Sequence, residues 1–353
     1  MPSIEDVAKL ARVSPATVSN VLNQTRPVRE DTRKRVLEAV KRLNYRPNEI
    51  ARSLKRKKTK SVGVIVPSIS NPFYPSIVRG IEELLATRGY SILLYNTDRE
   101  RTKELKAIET FFEKQVDGVV FASASLAINT SYITTLRNNG VAVVAFDQRL
   151  DDPGVDVVTV DNVQGGYIGA RYLIELGHSR IAFVSGPLSR LTRRHRFDGY
   201  KKALSECGVI LNEYLLRISV NEEEIANGNY EFENGYLQTL SLLKLPQHKR
   251  PTAIFAINDL TAIGCLKALQ ESGIDVPGEI SLVGYDDIPL AGFVTPGLTT
   301  IVQPKYEMGR IAAQLLLERM EGNYLEGEGR IRVLEPRLSI RQSTARAASH
   351  ASL

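Results

Sequence analysis

Residues 61–341 alternate short apolar runs with helical segments, and no other feature of the sequence constrains the fold as strongly. Apolar runs of four to six residues between helical segments are typical of parallel strands that are covered on both faces. The repeat shifts near Asp161 and Asn162, which predicts an α/β body of two doubly wound parallel-sheet subdomains. The predicted strands are Val62–Val66, Ile92–Tyr95, Gly118–Phe121, Val141–Phe146, Val157–Val160, Ile181–Val184, Leu215–Val220, Ala253–Ile257 and Leu282–Tyr285.

The first 60 residues carry a positive charge that the rest of the chain lacks. They hold 16 Lys and Arg against 6 Asp and Glu, whereas residues 61–353 hold 30 against 34. A small basic module joined to a mildly acidic body indicates an anionic partner, either nucleic acid or a membrane surface. The module also has dense apolar periodicity, so we expect it to fold rather than to form a solvated tail.

Several classes of protein are excluded by the remaining features. The longest apolar runs fall far short of the ~18 residues that a membrane-spanning helix needs. Glu5 and Asp6 stand where a signal peptide would carry basic residues, and Cys207 and Cys265 are expected to be reduced thiols, so we expect a cytoplasmic protein. The sequence has neither a GxSxG nucleophile motif nor a GxxxxGK[ST] phosphate loop, and its histidines are scattered, so it predicts no enzyme, metal site or cofactor.

Capping residues and helical periodicity predict three helices in the basic module. Ser3 and Asp6 have the spacing of a capping box at the start of the first helix. Ser14 followed by Pro15 is a typical start for the second helix, which is predicted to end near Leu22. Two short helices joined by a tight turn and followed by a third are typical of a helix-turn-helix domain. The residues predicted to face its core are Ile4, Val7, Ala8 and Ala11, then Val18, Val21 and Leu22, and then Val36, Leu37, Val40 and Leu43 on a third helix over 30–43.

Four ordered motifs resemble the lactose/galactose-repressor family of bacterial transcription regulators: Ile4–Ala8, Val13–Ser19, Asn44–Asn48 and Ala51–Leu54. The resemblance implies a homodimer that binds a pseudo-palindromic double-stranded operator, has no membrane partner, and lies on the nucleoid when it is bound to DNA. It also implies a helix-turn-helix domain at 1–47, a hinge helix and linker at 48–60, an effector-binding and dimerisation domain at 61–343, and a tail at 344–353. The effector-binding domain would have the periplasmic-binding-protein fold, in which the chain crosses between the subdomains three times.

The residues predicted to contact DNA lie on the second helix and on the hinge helix. Pro15, Ala16 and Asn20 lie on the solvent-facing side near the start of the second helix, which is the part that reaches base edges in the major groove. Neighbouring hydroxyl and amide side chains can contact phosphates or can make capping and local backbone bonds; they are Ser14, Thr17, Ser19 and Asn23.

By the resemblance, Asn48 caps a hinge helix over Glu49–Lys55 that folds on DNA. A helix of seven residues is too short to be stable alone. Leu54 would then wedge between base pairs in the minor groove, and Ala51 would let two such helices approach closely. Lys55 begins a basic linker that is expected to lie near phosphates.

Polar side chains follow the predicted strands at their carboxyl ends, where ligands of doubly wound sheets bind. Asp147, Asn258 and Asp286 each follow or end such a run, and Arg196 lies on the helix after the run Ile181–Val184. The resemblance makes these four residues hydroxyl-binding groups for a sugar-like effector. The same resemblance places Phe73 and Tyr74 against the sugar ring.

The charge of the effector depends on a cluster of arginines at the start of the helix that carries Arg196. Arg190, Arg193 and Arg194 would suit a phosphorylated or acidic sugar, or they could form a salt bridge between the subdomains. We favour a neutral pentose or a related monosaccharide, since the carboxylates of Asp147 and Asp286 suit a neutral polyol.

The predicted function is a repressor of carbohydrate-utilisation genes that a sugar-like effector controls. The alternatives are a global carbon-catabolite regulator that a protein partner controls, a solute-binding protein, and a sugar-modifying enzyme. The three crossings between subdomains are predicted near residues 161, 290 and 321. In that arrangement Leu298–Gln303 returns to the first subdomain and Ile331–Arg341 completes the second.

Overall fold

The computed structural model describes residues 2–45, 58–122, 130–147, 154–219, 230–322 and 329–348. It contains two compact units, Met1–Thr59 and Lys60–Leu353. None of the helices in these ranges is long and apolar enough to cross a membrane.

The N-terminal unit is the predicted helix-turn-helix fold, with helices α1 (Ile4–Ala11), α2 (Pro15–Asn23) and α3 (Glu30–Arg42). The capping box of Ser3 and Asp6 is present, and the Ser14 side chain caps α2 by accepting a hydrogen bond from the backbone N–H of Thr17 at 3.2 Å. The fully buried core consists of Val7, Ala8, Ala11, Val18, Val21, Val36 and Ala39.

The predicted core face of α3 was wrong at Leu37, whose side chain is 46% exposed. The inward face consists instead of Val36, Ala39, Val40 and Leu43, which follow the i, i+3, i+4, i+7 spacing of one helical stripe. Leu37 lies about 100° away from Val36 around the helix, which puts it outside that stripe. The predicted hinge helix, with Ala51, Leu54 and Lys55, lies outside the described residues.

The described residues of the larger unit form two six-stranded sheets. Their strands are β1 (Ser61–Val66), β2 (Ser91–Asn96), β3 (Gly118–Phe121), β4 (Ala142–Phe146), β5 (Asp156–Val160), β6 (Ile181–Ser185), β7 (Leu216–Ile218), β8 (Ala253–Ala256), β9 (Ser281–Asp286), β10 (Thr299–Val302), β11 (Ile331–Leu334) and β12 (Arg337–Ser339). The first sheet has the order β11-β5-β4-β3-β1-β2 with all pairs parallel, and the second has the order β12-β10-β9-β8-β6-β7 with only β12 antiparallel.

Helices pack against both sheets, as the alternating pattern predicts. The first sheet carries α4 (Phe73–Ala86), α5 (Arg101–Glu113), α6 (Thr130–Asn138) and α12 (Lys305–Met320). The second carries α7 (Asn162–Glu175), α8 (Leu191–Glu206), α9 (Tyr230–Leu243), α10 (Asp259–Glu271) and the short α11 (Pro289–Phe293).

The chain crosses between the two subdomains after β5, after β10 and between β11 and β12. The first crossing is the predicted one near Asp161, but the predictions near 290 and 321 were wrong. β9 is buried along its whole length and needs a neighbour on each side, so β10 pairs with it in parallel and stays in the second sheet. Ile331–Leu334 then pairs with β5 in the first sheet, and only β12 of the predicted run Ile331–Arg341 belongs to the second.

The C-terminal segment is docked on the second subdomain at least as far as Ala347. The buried His178 ring lies 3.0 Å from the Ala345 carbonyl oxygen, and the Ala347 N–H donates to the Leu176 carbonyl at 2.8 Å. The Thr344 hydroxyl lies 3.1 Å from those of Tyr172 and Thr299. The residues assigned to a tail by the sequence therefore make specific contacts with the body up to that point.

Candidate effector site and DNA-binding helix

The exposed start of α2 presents Pro15 and Ala16 to solvent, as predicted. Asn20 is half-buried, and its side-chain oxygen accepts a hydrogen bond from the Thr25 hydroxyl at 2.9 Å. Ser14 and Thr17 are joined through their hydroxyls at 2.9 Å, and Asn23 donates to the Ser19 carbonyl at 2.9 Å. The local bonds that the sequence allows are thus present, and the phosphate contacts of these residues stay a prediction.

The carboxyl ends of β4, β8 and β9 bring three of the predicted effector residues to the cleft side of their sheets. Asp147 follows β4 with φ 63°, and Asp286 ends β9 with φ 112°. Such left-handed conformations cost residues other than glycine about 1–3 kcal/mol and are concentrated at functional sites. Asn258 follows Ile257 after β8, and its side-chain oxygen caps α10 by accepting from the Thr261 N–H at 2.9 Å.

Arg196 is the central buried cation of the site. Its Nε donates to Asn162 Oδ1 at 2.8 Å and its Nη1 donates to the Ile257 carbonyl at 2.8 Å. The same Nη1 lies 3.4 Å from Asp286 Oδ1, and the guanidinium carbon lies 3.7 Å from the centre of the Tyr285 ring. These contacts fix the guanidinium between the ends of β8 and β9, where it can donate to a ligand without reorganising.

The backbone of Arg196 packs closely against Gly166 of α7. A Cβ on Gly166 would lie 2.0 Å from the Arg196 carbonyl oxygen, so only glycine lets α7 and α8 approach this closely. The sequence shows the glycines of α7 but not what they contact.

Two residues from the second crossing of the chain hold Asp286. Gln303 Nε2 donates to Asp286 Oδ1 at 2.6 Å, and Gln303 Oε1 is buried without a partner in the described part of the chain. Lys305, the first residue of α12, donates to the carbonyl oxygens of Asp286 and Asp287. The site is therefore tied to the segment that leads back into the first subdomain.

Asp147 provides a second carboxylate for the site. Burial raises the pKa of Asp147 to about 7; the charge of Arg196 opposes this rise and that of Asp286 adds to it, while Arg190 also lowers the value. Its Oδ1 is buried and has no hydrogen-bond partner among the described residues. An unsatisfied buried acceptor is costly, so this oxygen is suited to receive a donor from a ligand.

The aromatic wall consists of Phe73 and Tyr74 in the first turn of α4, both buried. Their ring centres lie 5.1 Å apart in an edge-on arrangement. Burial raises the pKa of the Tyr74 hydroxyl; Asp147 and Glu231 raise it further, and Arg190 and Arg99 lower it. The Tyr74 hydroxyl therefore lies within electrostatic reach of both Asp147 and Arg190, and the role of these residues in binding an effector stays a prediction.

The structure adds site residues that sequence reasoning missed: Arg99, Asn162, Glu231, Tyr285 and Gln303. Asn162 and Gln303 each stand one or two residues after a strand, so the strand-end argument that found Asp147 would have found them too. Arg99 and Glu231 meet from different subdomains, and no local pattern marks their contact.

The titration of Asp147 should make stability depend on pH. The folded protein holds the Asp147 proton more tightly than the unfolded chain does, because the folded pKa of about 7 exceeds the ordinary value of 3.8. The contribution of Asp147 to the free energy of unfolding is therefore complete below about pH 4 and is lost as the pH rises to about 7. We expect the free energy of unfolding of Asp147→Asn to vary less over that range, by up to about 1.4 kcal/mol per pH unit. Urea unfolding of both proteins from pH 4.5 to 7.5 measures this, and parallel curves would contradict it.

Two models of known protein families match this chain. A family model described as "Bacterial regulatory proteins, lacI family" matches residues 3–48. A second, described as "Periplasmic binding proteins and sugar binding domain of LacI family", matches residues 59–336.

Two named relatives match nearly the whole of this chain. The HTH-type transcriptional repressor PurR of Aliivibrio fischeri strain MJ11 is 36% identical over 344 residues, covering 97% of this chain and 98% of that protein. Catabolite control protein A of Priestia megaterium is 38% identical over 343 residues, covering 97% and 99%.

Solved structures show the same architecture. The lac repressor dimer bound to operator and the anti-inducer ONPF superimposes with a TM-score of 0.82 at 27% identity, covering 98% of this chain and 99% of that one. A LacI family regulator of Enterococcus faecium with bound ribose has a TM-score of 0.71 at 31% identity, covering 81% and 99%.

Fold and site together define a DNA-binding transcriptional repressor with a ligand-binding body, which is not an enzyme. The chain belongs to the LacI family of bacterial regulatory proteins, whose members bind operator DNA and small-molecule effectors and form dimers.

Proposed function

We propose that this repressor is controlled by a small neutral carbohydrate, a pentose or a related monosaccharide, bound in the cleft of its body. It acts in the cytoplasm as a homodimer on a pseudo-palindromic operator of carbohydrate-utilisation genes. The observation that carries this proposal is the pairing of two carboxylates, Asp147 and Asp286, with the buried Arg196 beside the wall of Phe73 and Tyr74.

The chemistry of this set suits a polyol. A carboxylate accepts hydrogen bonds from neighbouring hydroxyls, while a guanidinium donates to hydroxyl or ring oxygens. An aromatic face packs against the apolar side of a sugar ring. The ribose in the similar regulator of Enterococcus faecium, at 31% identity, supports this ligand class.

A second candidate is control by a protein partner, as expected of a global carbon-catabolite regulator. The observation in its favour is the 38% identity with catabolite control protein A over nearly the whole chain. A protein-controlled regulator would retain its affinity for DNA when sugars are added.

The deciding experiment titrates the full chain calorimetrically with D-ribose, other free pentoses and hexoses, D-ribose 5-phosphate and free purine bases. Operator duplexes are first selected from a random library with the purified protein. We expect micromolar binding of one neutral sugar and a change in operator affinity when it binds. By reciprocity, operator DNA must change the sugar affinity by the same factor. Binding of a purine base alone, or of no compound, would reject the proposed effector class.

The hinge leucine provides a test of the DNA-binding side. Leu54→Ala is expected to lower the affinity for the selected operator at least tenfold and to leave random duplex binding nearly unchanged, because a wedge contributes only where the minor groove opens. Leu37→Ala, which removes a leucine exposed on α3, is the matched control. Fluorescence anisotropy at fixed salt measures both affinities, and equal losses on the two DNAs would exclude a wedge.

A further inference from the structure

A buried ion pair joins the two subdomains beside the effector site. Arg99, in the loop between β2 and α5 of the first subdomain, pairs with Glu231 in the first turn of α9 in the second. Glu231 is 3% exposed, and Nη2 of the buried Arg193 lies 4.0 Å from Oε1, the carboxylate oxygen that also pairs with Arg99. One carboxylate thus lies against two guanidinium groups that come from different subdomains.

The loop that carries Arg99 is held in a fixed shape. Asp98 and Arg99 both have left-handed backbones, with φ 49° and 65°. The Asp98 carboxylate accepts from Asn96 Nδ2 at 2.6 Å and from Lys103 Nζ at 2.5 Å, which anchors the loop to the end of β2 and to α5. Arg99 is therefore directed toward Glu231 by the backbone of its own subdomain.

These charges also act on the effector site itself. Burial raises the pKa of the Tyr74 hydroxyl in the aromatic wall; the charge of Arg99 lowers this pKa, and the charge of Glu231 raises it. Burial raises the pKa of Asp286, and the charge of Glu231 adds to that rise against Arg196 and Lys305. Glu231 is thus close enough to the site for its charge to affect whether the site favours a neutral or an anionic ligand.

We propose that Glu231 is a specificity-determining residue, a built-in carboxylate that occupies the anion position between Arg99 and Arg193 and makes the cleft reject anionic effectors. This inference rests on the proposed function, in which a small carbohydrate binds the cleft. A sugar phosphate would need these two guanidinium groups, and it could reach them only by displacing Glu231. The displaced carboxylate would be left buried and unpaired, which is strongly unfavourable, so the phosphorylated form of a sugar binds less tightly than the free sugar.

The test is to remove the charge of Glu231. In Glu231→Gln, inorganic phosphate and D-ribose 5-phosphate are expected to bind the full chain at least tenfold more tightly than they bind the unmodified protein. Calorimetry at pH 7.5 and constant ionic strength measures this. Glu233→Gln is the matched control, because Glu233 lies two residues further along α9 and forms no ion pair in the described part of the chain. Adding Arg99→Gln to Glu231→Gln should cancel most of the gain.

A failure of this inference can be told apart from a failure of the proposed function. If a neutral sugar binds but Glu231→Gln gains no phosphate affinity, Glu231 does not set the charge preference. If phosphate affinity rises in Glu231→Gln while no sugar binds, Glu231 does occupy an anion position, and the proposed effector class is wrong. Should Glu231→Gln not fold, the unmodified protein is titrated with D-ribose and with D-ribose 5-phosphate instead. In that case free ribose bound at least tenfold more tightly than its phosphate supports the inference, and equal or tighter binding of the phosphate overturns it.

Discussion

Replacing Arg196 with alanine should abolish the effector response of this repressor. The guanidinium holds Asn162, the Ile257 carbonyl and Asp286 together on the face of Tyr285, so its loss removes a ligand donor and takes away the cation that lies beside the Asp286 carboxylate. We expect effector affinity to fall by at least 100-fold, about 2.7 kcal/mol. The body should also lose about 3–5 kcal/mol of stability, as expected when one partner of a buried pair is removed.

The neighbouring Arg194 provides the control for this prediction. Its side chain is exposed, and its Nε donates a long hydrogen bond, 3.4 Å, to the Leu188 carbonyl. Arg194→Ala should change stability by less than about 0.5 kcal/mol and effector affinity by less than twofold. Calorimetric titration below both melting temperatures separates binding from unfolding. Similar behaviour of the two variants would show that Arg196 does not organise the site.

The second large effect is expected at Asp156, the buried first residue of β5. Its carboxylate accepts from Arg319 Nε and Nη2 at 2.8 and 2.7 Å, and from Arg330 Nη2 and N–H at 2.8 and 2.7 Å. It thereby joins α12 to the start of β11. Asp156→Asn should destabilise the body by about 3–5 kcal/mol, because two guanidinium groups lose their common anion.

The acid limb of the stability curve gives an independent check on Asp156. Burial acts to raise its pKa, but the hydrogen bonds from Arg319 and Arg330 outweigh burial and lower the pKa to about 2. The stabilisation is therefore complete above the ordinary value of 3.8 and is lost as the pH falls from about 4 to about 2. Asp156→Asn should lack this loss in circular dichroism unfolding curves. Glu318→Gln, which removes the more exposed partner of Arg330, should keep it and should cost about 1 kcal/mol or less.

Local signals in the sequence predicted the three helices of the basic module and most strands of the body, because such signals depend on neighbouring residues. The capping box of Ser3 and Asp6, the cap of Ser14 and the apolar runs of the body are all of this kind. The choice of sheet for Thr299–Val302 was not predictable in this way, since it depends on the need of β9 for a second buried neighbour.

The same distinction applies to the site. Asp147 and Asp286 could be found because ligands of parallel sheets bind beyond strand ends, and the resemblance added the aromatic wall. Arg99 and Glu231 are separated by 132 positions in the chain, and their contact exists only because the two subdomains face each other. Residues that act through such contacts need the three-dimensional structure.

The late position of β11 and β12 affects how the protein emerges from the ribosome. Each sheet of the body receives one edge strand from residues 331–339, whereas the core of the helix-turn-helix unit draws on residues 4–45 alone. At roughly 5–20 residues per second, the ribosome needs tens of seconds or less to pass from the end of the helix-turn-helix unit to these last two strands. During that interval the nascent chain already displays a compact DNA-binding head, while the part that senses the effector still lacks its final strands.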